Sequence, residues 1–130
     1  MLIFGYVGHK LALKENDTVL EFIEFWGKVY KTDLDYNNII KLFNLKKILY
    51  TPIAYLSFGQ KKKIAFARLY LLKSKIWLLD EPFSGMDCNN KKLIGSIIKK
   101  HNSSKGVAII STNEPINILN INNKQELHIV

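Results

Sequence analysis

Residues 56–87 read LSFGQKKKIAFARLYLLKSKIWLLDEPFSGMD, and two short pieces of this stretch decide the fold. The first is Leu56-Ser57-Phe58-Gly59-Gln60, at the front of a segment with helical composition. A serine at a helix start leaves backbone N–H groups open, the helix dipole adds partial positive charge, and the hydroxyl adds a donor; together they suit a phosphate. A serine in that place also serves as a plain N-cap. The second piece is Ile76-Trp77-Leu78-Leu79-Asp80-Glu81-Pro82. Four apolar residues in a row predict a strand buried on both faces, as in a parallel sheet. The strand ends in adjacent carboxylates, and Pro82 stops it. Ligands of open α/β sheets bind outside the C-terminal strand ends. There Asp80 can hold Mg²⁺, usually through water, and Glu81 can polarise an attacking water. An acidic turn after a core strand is the plainer alternative.

The rest of the chain is read outward from these two pieces. Ser57 opens a helix predicted to run to about residue 73. Residues 89–100 carry Leu93, Ile94, Ile97 and Ile98 at helical spacing, Gly106 ends that connection, and residues 107–110 read as a second buried strand. Residues 114–120 predict a short helix and residues 127–130 a last strand. Toward the N-terminus, residues 2–7 read as an apolar strand and residues 8–16 as a polar loop. Thr18, with Glu21 three positions on, has the form of a capping box. Val19, Phe22, Ile23, Trp26, Val29 and Tyr30 follow at helical spacing and read as packing residues. Residues 35–43 predict a second helix that buries Ile39, Ile40 and Phe43, and Pro52 marks a loop. The fold class is therefore α/β, with a helical subdomain over about 16–75 inserted into a sheet-bearing core of residues 1–15 and 76–130.

The net charge of +8 raises nucleic-acid binding. It comes from 18 Lys and one Arg, and Lys, Asn and Ile together fill over a third of the 130 residues. All three have AT-rich codons, so a biased genome, such as an organelle's or an endosymbiont's, accounts for the charge most simply; a basic face near anionic lipid headgroups is the alternative, and no nucleic-acid partner is expected. The single cysteine, Cys88, fits a reducing compartment. No apolar run approaches the roughly 18 residues that cross a bilayer. His101 and His128 fit no ligand pattern and read as surface or packing residues.

The order of the motifs resembles the ATP-binding subunits of ABC transporters. Residues 56–60 look like the family's signature motif and residues 76–81 like its Walker B strand with the catalytic glutamate. They stand 20 positions apart, from Gln60 to Asp80. Ser84-Gly85-Met86-Asp87 looks like the D-loop, and Ser111-Thr112-Asn113 sits where the switch-histidine loop belongs. The front of the chain, Tyr6-Val7-Gly8-His9-Lys10, Leu13-Lys14 and Thr18-Val19-Leu20-Glu21, is similar to the ATP-binding subunit of the haem exporter of cytochrome c maturation. That subfamily carries a histidine in place of the Q-loop glutamine, and His9 occupies this place; an ordinary loop histidine is the alternative.

The resemblance implies a partial P-loop NTPase fold: a helical signature subdomain plus the C-terminal part of a mostly parallel sheet. It implies ATP and Mg²⁺, with Asp80 holding the ion through water. Glu81 would be the general base, His9 would sense water and Mg²⁺, and Asn113 would sense the γ-phosphate. Ser57, Phe58, Gly59 and Gln60 would touch an ATP held by a second ABC ATPase subunit, and Asp87 would couple the two sites of the dimer. An integral membrane permease subunit would dock on the helical region. The subunit would then lie peripherally on the inner face of a membrane, on the mitochondrial matrix side or the cytoplasmic side of a bacterial endosymbiont.

The pattern breaks in three places. No G-x-x-x-x-G-K-[ST] occurs in the 130 residues. In the family this loop precedes the region matching Tyr6, so Met1 is expected to fall after it. A separately encoded N-terminal half carrying Walker A would supply it; a degenerate or partial product is the alternative. Phe58 replaces a small signature residue; its ring either crowds the γ-phosphate or turns into the core. Asn113 replaces the switch histidine and cannot carry a proton or a positive charge. Two functional readings follow: a transport ATPase subunit for haem export, inactive as this chain alone, or a non-catalytic interaction fragment that offers only its signature face to a partner's ATP. An ABC-type ATPase of DNA repair or translation would need coiled coils or tandem domains for which 130 residues leave no room.

Overall fold

In a computed structural model of the chain, residues 3–33 and 35–114 are described. Strand β1 (Phe4–Val7) leads into a loop and then into helix α1 (Val19–Val29). The Thr18 capping box is formed: Thr18 N–H donates to Glu21 Oε2 at 2.8 Å and Glu21 N–H to Thr18 Oγ1 at 3.2 Å. Two further first-turn donors of α1 reach the loop ahead of Leu56, Val19 N–H to Thr51 O and Leu20 N–H to Leu49 O. Helix α2 (Tyr36–Leu42) is capped by the Asp35 carboxylate. Two 3₁₀ turns, Lys46–Ile48 and Ile53–Tyr55, fill the stretch before Ser57.

Helix α3 (Phe58–Leu72) is the centre of the molecule and packs against α1, β1 and helix α4 (Cys88–Ser103). Ile64, Ala65, Phe66 and Ala67 are all fully buried in it, because neighbours stand on several sides at once. Gly5 lets α3 approach β1: a Cβ there would meet Leu69 Cδ1 at 2.2 Å and Ser74 Oγ at 2.6 Å. The predicted α1 packing stripe is partly corrected. Phe22 and Ile23 are buried, Trp26 and Tyr30 are half-buried and stack on each other, and Val29 is exposed at the outer edge of the stripe.

Strands β2 (Ile76–Asp80) and β3 (Val107–Ser111) complete a three-stranded sheet of order β1-β2-β3, parallel throughout. The register aligns Gly5, Trp77 and Ala108, and Val7, Leu79 and Ile110, on the face covered by the helices. The opposite face aligns Phe4, Ile76 and Val107, then Tyr6, Leu78 and Ile109. This face is apolar and no described residue covers it. Phe4 is 57% exposed, Tyr6 58%, Val107 53% and Ile109 57%. The expectation that both inner strands are buried on both faces therefore holds for one face only. The predicted elements at 114–120 and 127–130 lie outside the described residues, apart from Glu114.

His101 closes the N-terminal edge of the sheet. Its ring stacks on Trp77 with centroids 3.8 Å apart, and its Nε2 lies 3.1 Å from Lys75 O and 3.3 Å from Val107 O. Two carbonyl partners require the proton on Nε2. Gly106 makes room, since a Cβ there would stand 2.3 Å from the ring. Burial holds the His101 pKa below the ordinary 6.5, against an opposing effect of the two carbonyls. The unfolded chain thus takes up this proton more readily, so His101 favours the folded state fully above 6.5 and less as pH falls from there toward the lower folded value. The urea midpoint is expected to be lower at about pH 5.5 than at about pH 7.5, and His101→Gln to remove much of that difference. An equal pH response in the variant would contradict this.

Candidate nucleotide site

Because the three strands are parallel, their C-terminal ends form one edge. Asp80 and Ser111 are the last residues of β2 and β3, and Glu81, Thr112–Asn113 and, after β1, His9 follow those ends. Asp80 is the last residue of the central strand and pairs in register with Ser111. Strand alternation puts it on the uncovered face with Ile76 and Leu78. It is half-buried, and its carboxylate has no hydrogen-bond partner among the described residues.

Glu81 begins the turn after β2 in the left-handed region, at φ +48°. A non-glycine residue holds that conformation only where its surroundings fix it. Glu81 N–H donates to Ser111 O at 2.7 Å. Its carboxylate accepts from Asn113 N–H at 2.9 Å and from Thr112 Oγ1 at 3.2 Å. The structure thus brings Glu81 and the Asn113 backbone together. His9 is exposed in the loop after β1 and lies on the same edge.

Ser57 is the N-cap of α3 and is exposed. Its Oγ accepts from Gln60 N–H at 3.2 Å, while Gln60 Oε1 accepts from Ser57 N–H at 2.9 Å. This is a second capping box, so the plain-cap reading of Ser57 is met, and the Gln60 side chain is turned back onto its own helix. The Ser57 hydroxyl hydrogen and the N–H groups of exposed Phe58 and buried Gly59 have no hydrogen-bond partner among the described residues. The Phe58 ring does not turn into the core. It is 46% exposed, and its ring lies on Gly85, where a Cβ would stand 2.6 Å from Phe58 Cδ1. Gly85, at φ +74°, is free of that clash only as glycine. Gly59 packs on the same turn, its Cβ position 3.3 Å from Gly85 O. The N-terminal tip of α3 and the turn after Glu81 are therefore in direct contact. Asp87 caps α4, accepting from Asn90 N–H at 2.7 Å, which leaves its second oxygen unused.

Lys62 was not singled out by sequence. It is only 2% exposed, and its ammonium donates to Glu81 O and to Ser84 O. Burial lowers its pKa, against the pull of Glu81, Glu114 and Asp80. In the sequence it is the middle one of three consecutive lysines, 61–63.

The family model described as ABC transporter matches residues 3–84. The chain belongs to the ABC transporter family. It is 32% identical over 127 residues to the cytochrome c biogenesis ATP-binding export protein CcmA of Rhizobium etli, a match covering 94% of this chain and 58% of that protein. It is 34% identical over 114 residues to the CcmA protein of Rhodopseudomonas palustris strain BisB5, covering 87% and 57%. A solved structure described as "Structure of ATP binding subunit of ABC transporter" superimposes with a TM-score of 0.74 at 21% identity, over 85% of this chain and 49% of that one. This likeness shows the fold. The chain spans little more than half the length of the relatives it matches.

Within the ABC transporter family fold, the α/β class and the parallel sheet are as read from sequence. Among the described residues no group of three or more His, Cys, Asp or Glu stands ready to hold a metal ion. Asp80 offers a single free carboxylate. That donor set suits Mg²⁺ arriving with nucleotide phosphates, which commonly takes only one or two carboxylates from protein.

Proposed function

We propose that the chain is the signature- and acid-pair-bearing portion of an ATP-hydrolysing ABC transporter subunit that serves haem export in cytochrome c biogenesis. In this reading residues 1–130 belong to one ABC ATPase domain, with 16–75 as its helical signature subdomain and 1–15 and 76–130 as part of its α/β core. The observation that carries it is the gathering of His9, Asp80, Glu81 and Asn113 on one edge of a parallel sheet, beside an exposed Ser57-led helix tip. The haem-linked task rests on the similarity to the CcmA proteins and on the histidine at position 9.

Asp80 would hold Mg²⁺ through water, and the ion would neutralise charge on the phosphates. Glu81 would accept the proton of the attacking water after releasing Thr112 and Asn113. Asn113 would hydrogen-bond the γ-phosphate, and His9 would report on the water and the ion. Ser57, Phe58 and Gly59 would meet an ATP held by a second ABC subunit, with Gln60 supporting the tip through its cap, and Asp87 would lie between the two sites. The uncovered apolar sheet face supports a further partner. A parallel sheet is stable when covered on both faces. A strand–loop–helix segment bearing G-x-x-x-x-G-K-[ST], joined to this chain or separately encoded, would cover the face and supply the phosphate cradle. Exposed Phe25, Val29, Tyr50 and Tyr55 on the helical region support docking of a membrane permease. No described helix is long and apolar enough to cross a membrane, and a peripheral position on its inner face follows from such docking. A non-catalytic interaction fragment is the second reading, favoured by the engaged Glu81 carboxylate.

Combined with a loop-bearing segment, the chain is expected to hydrolyse ATP, and Asn113→His to raise the rate. The reason is that a histidine can carry the positive charge that Asn113 lacks. Equal steady-state rates would remove Asn113 from the γ-phosphate role. No hydrolysis in either protein would favour the interaction fragment.

A further inference from the structure

We propose that Lys62 is a positioning residue that ties the orientation of Glu81 to the placement of the Ser57 helix tip. The proposal rests on the ATP-sandwich reading for its purpose, but not for its geometry. A buried ammonium is costly unless its donors are satisfied. Lys61 meets Glu15 at 2.9 Å, whereas Lys62 has no carboxylate within ion-pair distance among the described residues. Its ammonium instead bridges Glu81 O and Ser84 O, the two ends of the turn that follows β2. The same Glu81 carbonyl also accepts from Ser84 N–H at 3.2 Å.

Lys62 stands five positions after Ser57 on a helix that is rigid and buried along this stretch. The Phe58 ring lies 5.5 Å from its ammonium and covers Gly85. A displacement of the tip therefore moves the ammonium, and the ammonium holds the carbonyl of the one residue whose left-handed backbone aims the acid. The lysine links the face turned toward a partner's nucleotide to the acid that serves the chain's own nucleotide. An apolar residue of the same length would fill the space equally well, so packing alone does not call for a lysine here.

The test compares the chain with Lys62→Met and Lys62→Arg by amide hydrogen exchange. In Lys62→Met the amides of Glu81 and Asn113, which report the backbone and the carboxylate of Glu81, should exchange at least about tenfold faster, the size expected for one lost charge-assisted hydrogen bond. Amides of the β2–β3 ladder should be unchanged, and Lys62→Arg should restore the parent rates. A uniform rise that includes the ladder, or no rise at Glu81 and Asn113, would overturn the proposal. If Lys62→Met fails to fold, Lys62→Gln is read the same way.

A second arm adds a non-hydrolysable ATP analogue and a complete ABC subunit, and follows amide chemical shifts. In the parent chain and Lys62→Arg the response at Ser57–Gln60 should extend to Glu81; in Lys62→Met it should stop at the tip. Propagation in Lys62→Met would sink the coupling. Silence at Ser57–Gln60 in the parent chain would sink the ATP-sandwich reading instead, while the exchange arm still decides whether Lys62 holds Glu81.

Discussion

Glu81→Gln, made in the chain once it is combined with a segment carrying G-x-x-x-x-G-K-[ST], is expected to lower ATP turnover by about 10²–10⁴-fold, the usual contribution of a general base. The substitution keeps the shape of the side chain. The amide oxygen can still accept from Asn113 N–H, and the amide NH₂, standing where the second oxygen was, can donate to Thr112 Oγ1, so the turn after β2 keeps its hydrogen-bonded partners. What is lost is the capacity to take a proton from water. Nucleotide affinity should be nearly unchanged, because phosphate binding falls to the loop, the ion and the partner's helix tip. A steady-state assay with a parallel binding measurement separates the two effects. Turnover within a few-fold of the parent would mean that Glu81 is only the acidic turn residue that its sequence context equally allows.

Ile109→Lys should leave the chain folded and strongly weaken its association with the loop-bearing segment. Ile109 is exposed on the apolar face, at the middle of β3 and beside Leu78 in the register. A substitution at an exposed position away from caps and networks changes stability by only about 0.5 kcal/mol. Once the face is covered, the same lysine would be a buried, unpaired charge, costing several kcal/mol. Each 1.4 kcal/mol is tenfold in affinity, so association should weaken by at least about a hundredfold. Titration of labelled segment into parent and variant chains measures this. Equal affinities would mean that the segment docks elsewhere or that another element covers this face.

Much of this geometry was legible in the sequence because it follows from local chemistry. Thr18 and Glu21 announce their capping box by spacing alone. The four apolar residues 76–79 followed by Asp80-Glu81 give a strand and the edge at which it ends. Ser57-x-x-Gln60 is the same capping signal as Thr18-x-x-Glu21, and the structure forms both boxes. Other features depend on contacts distant in sequence. The burial of Lys62 requires the turn after β2 to fold over α3, and nothing in a basic run distinguishes one lysine from its neighbours. The left-handed backbone of Glu81 is set by Ser111 and Lys62 together. The stack of His101 on Trp77 joins α4 to β2 across 24 positions. The apolar face misled in an instructive way. Its composition correctly reports a surface suited to burial, but the partner that would bury it is not among the described residues.

Nucleotide affinity measured by calorimetry, on the chain alone and with the loop-bearing segment, tests the account most directly. The acid pair and helix tip are held to act only on phosphates that a glycine-rich loop has already gripped. The chain alone should therefore give no measurable heat with Mg-ATP up to about millimolar concentration, about 4 kcal/mol of binding at most, and the combined protein should bind. Clear saturable binding by the chain alone would contradict that claim.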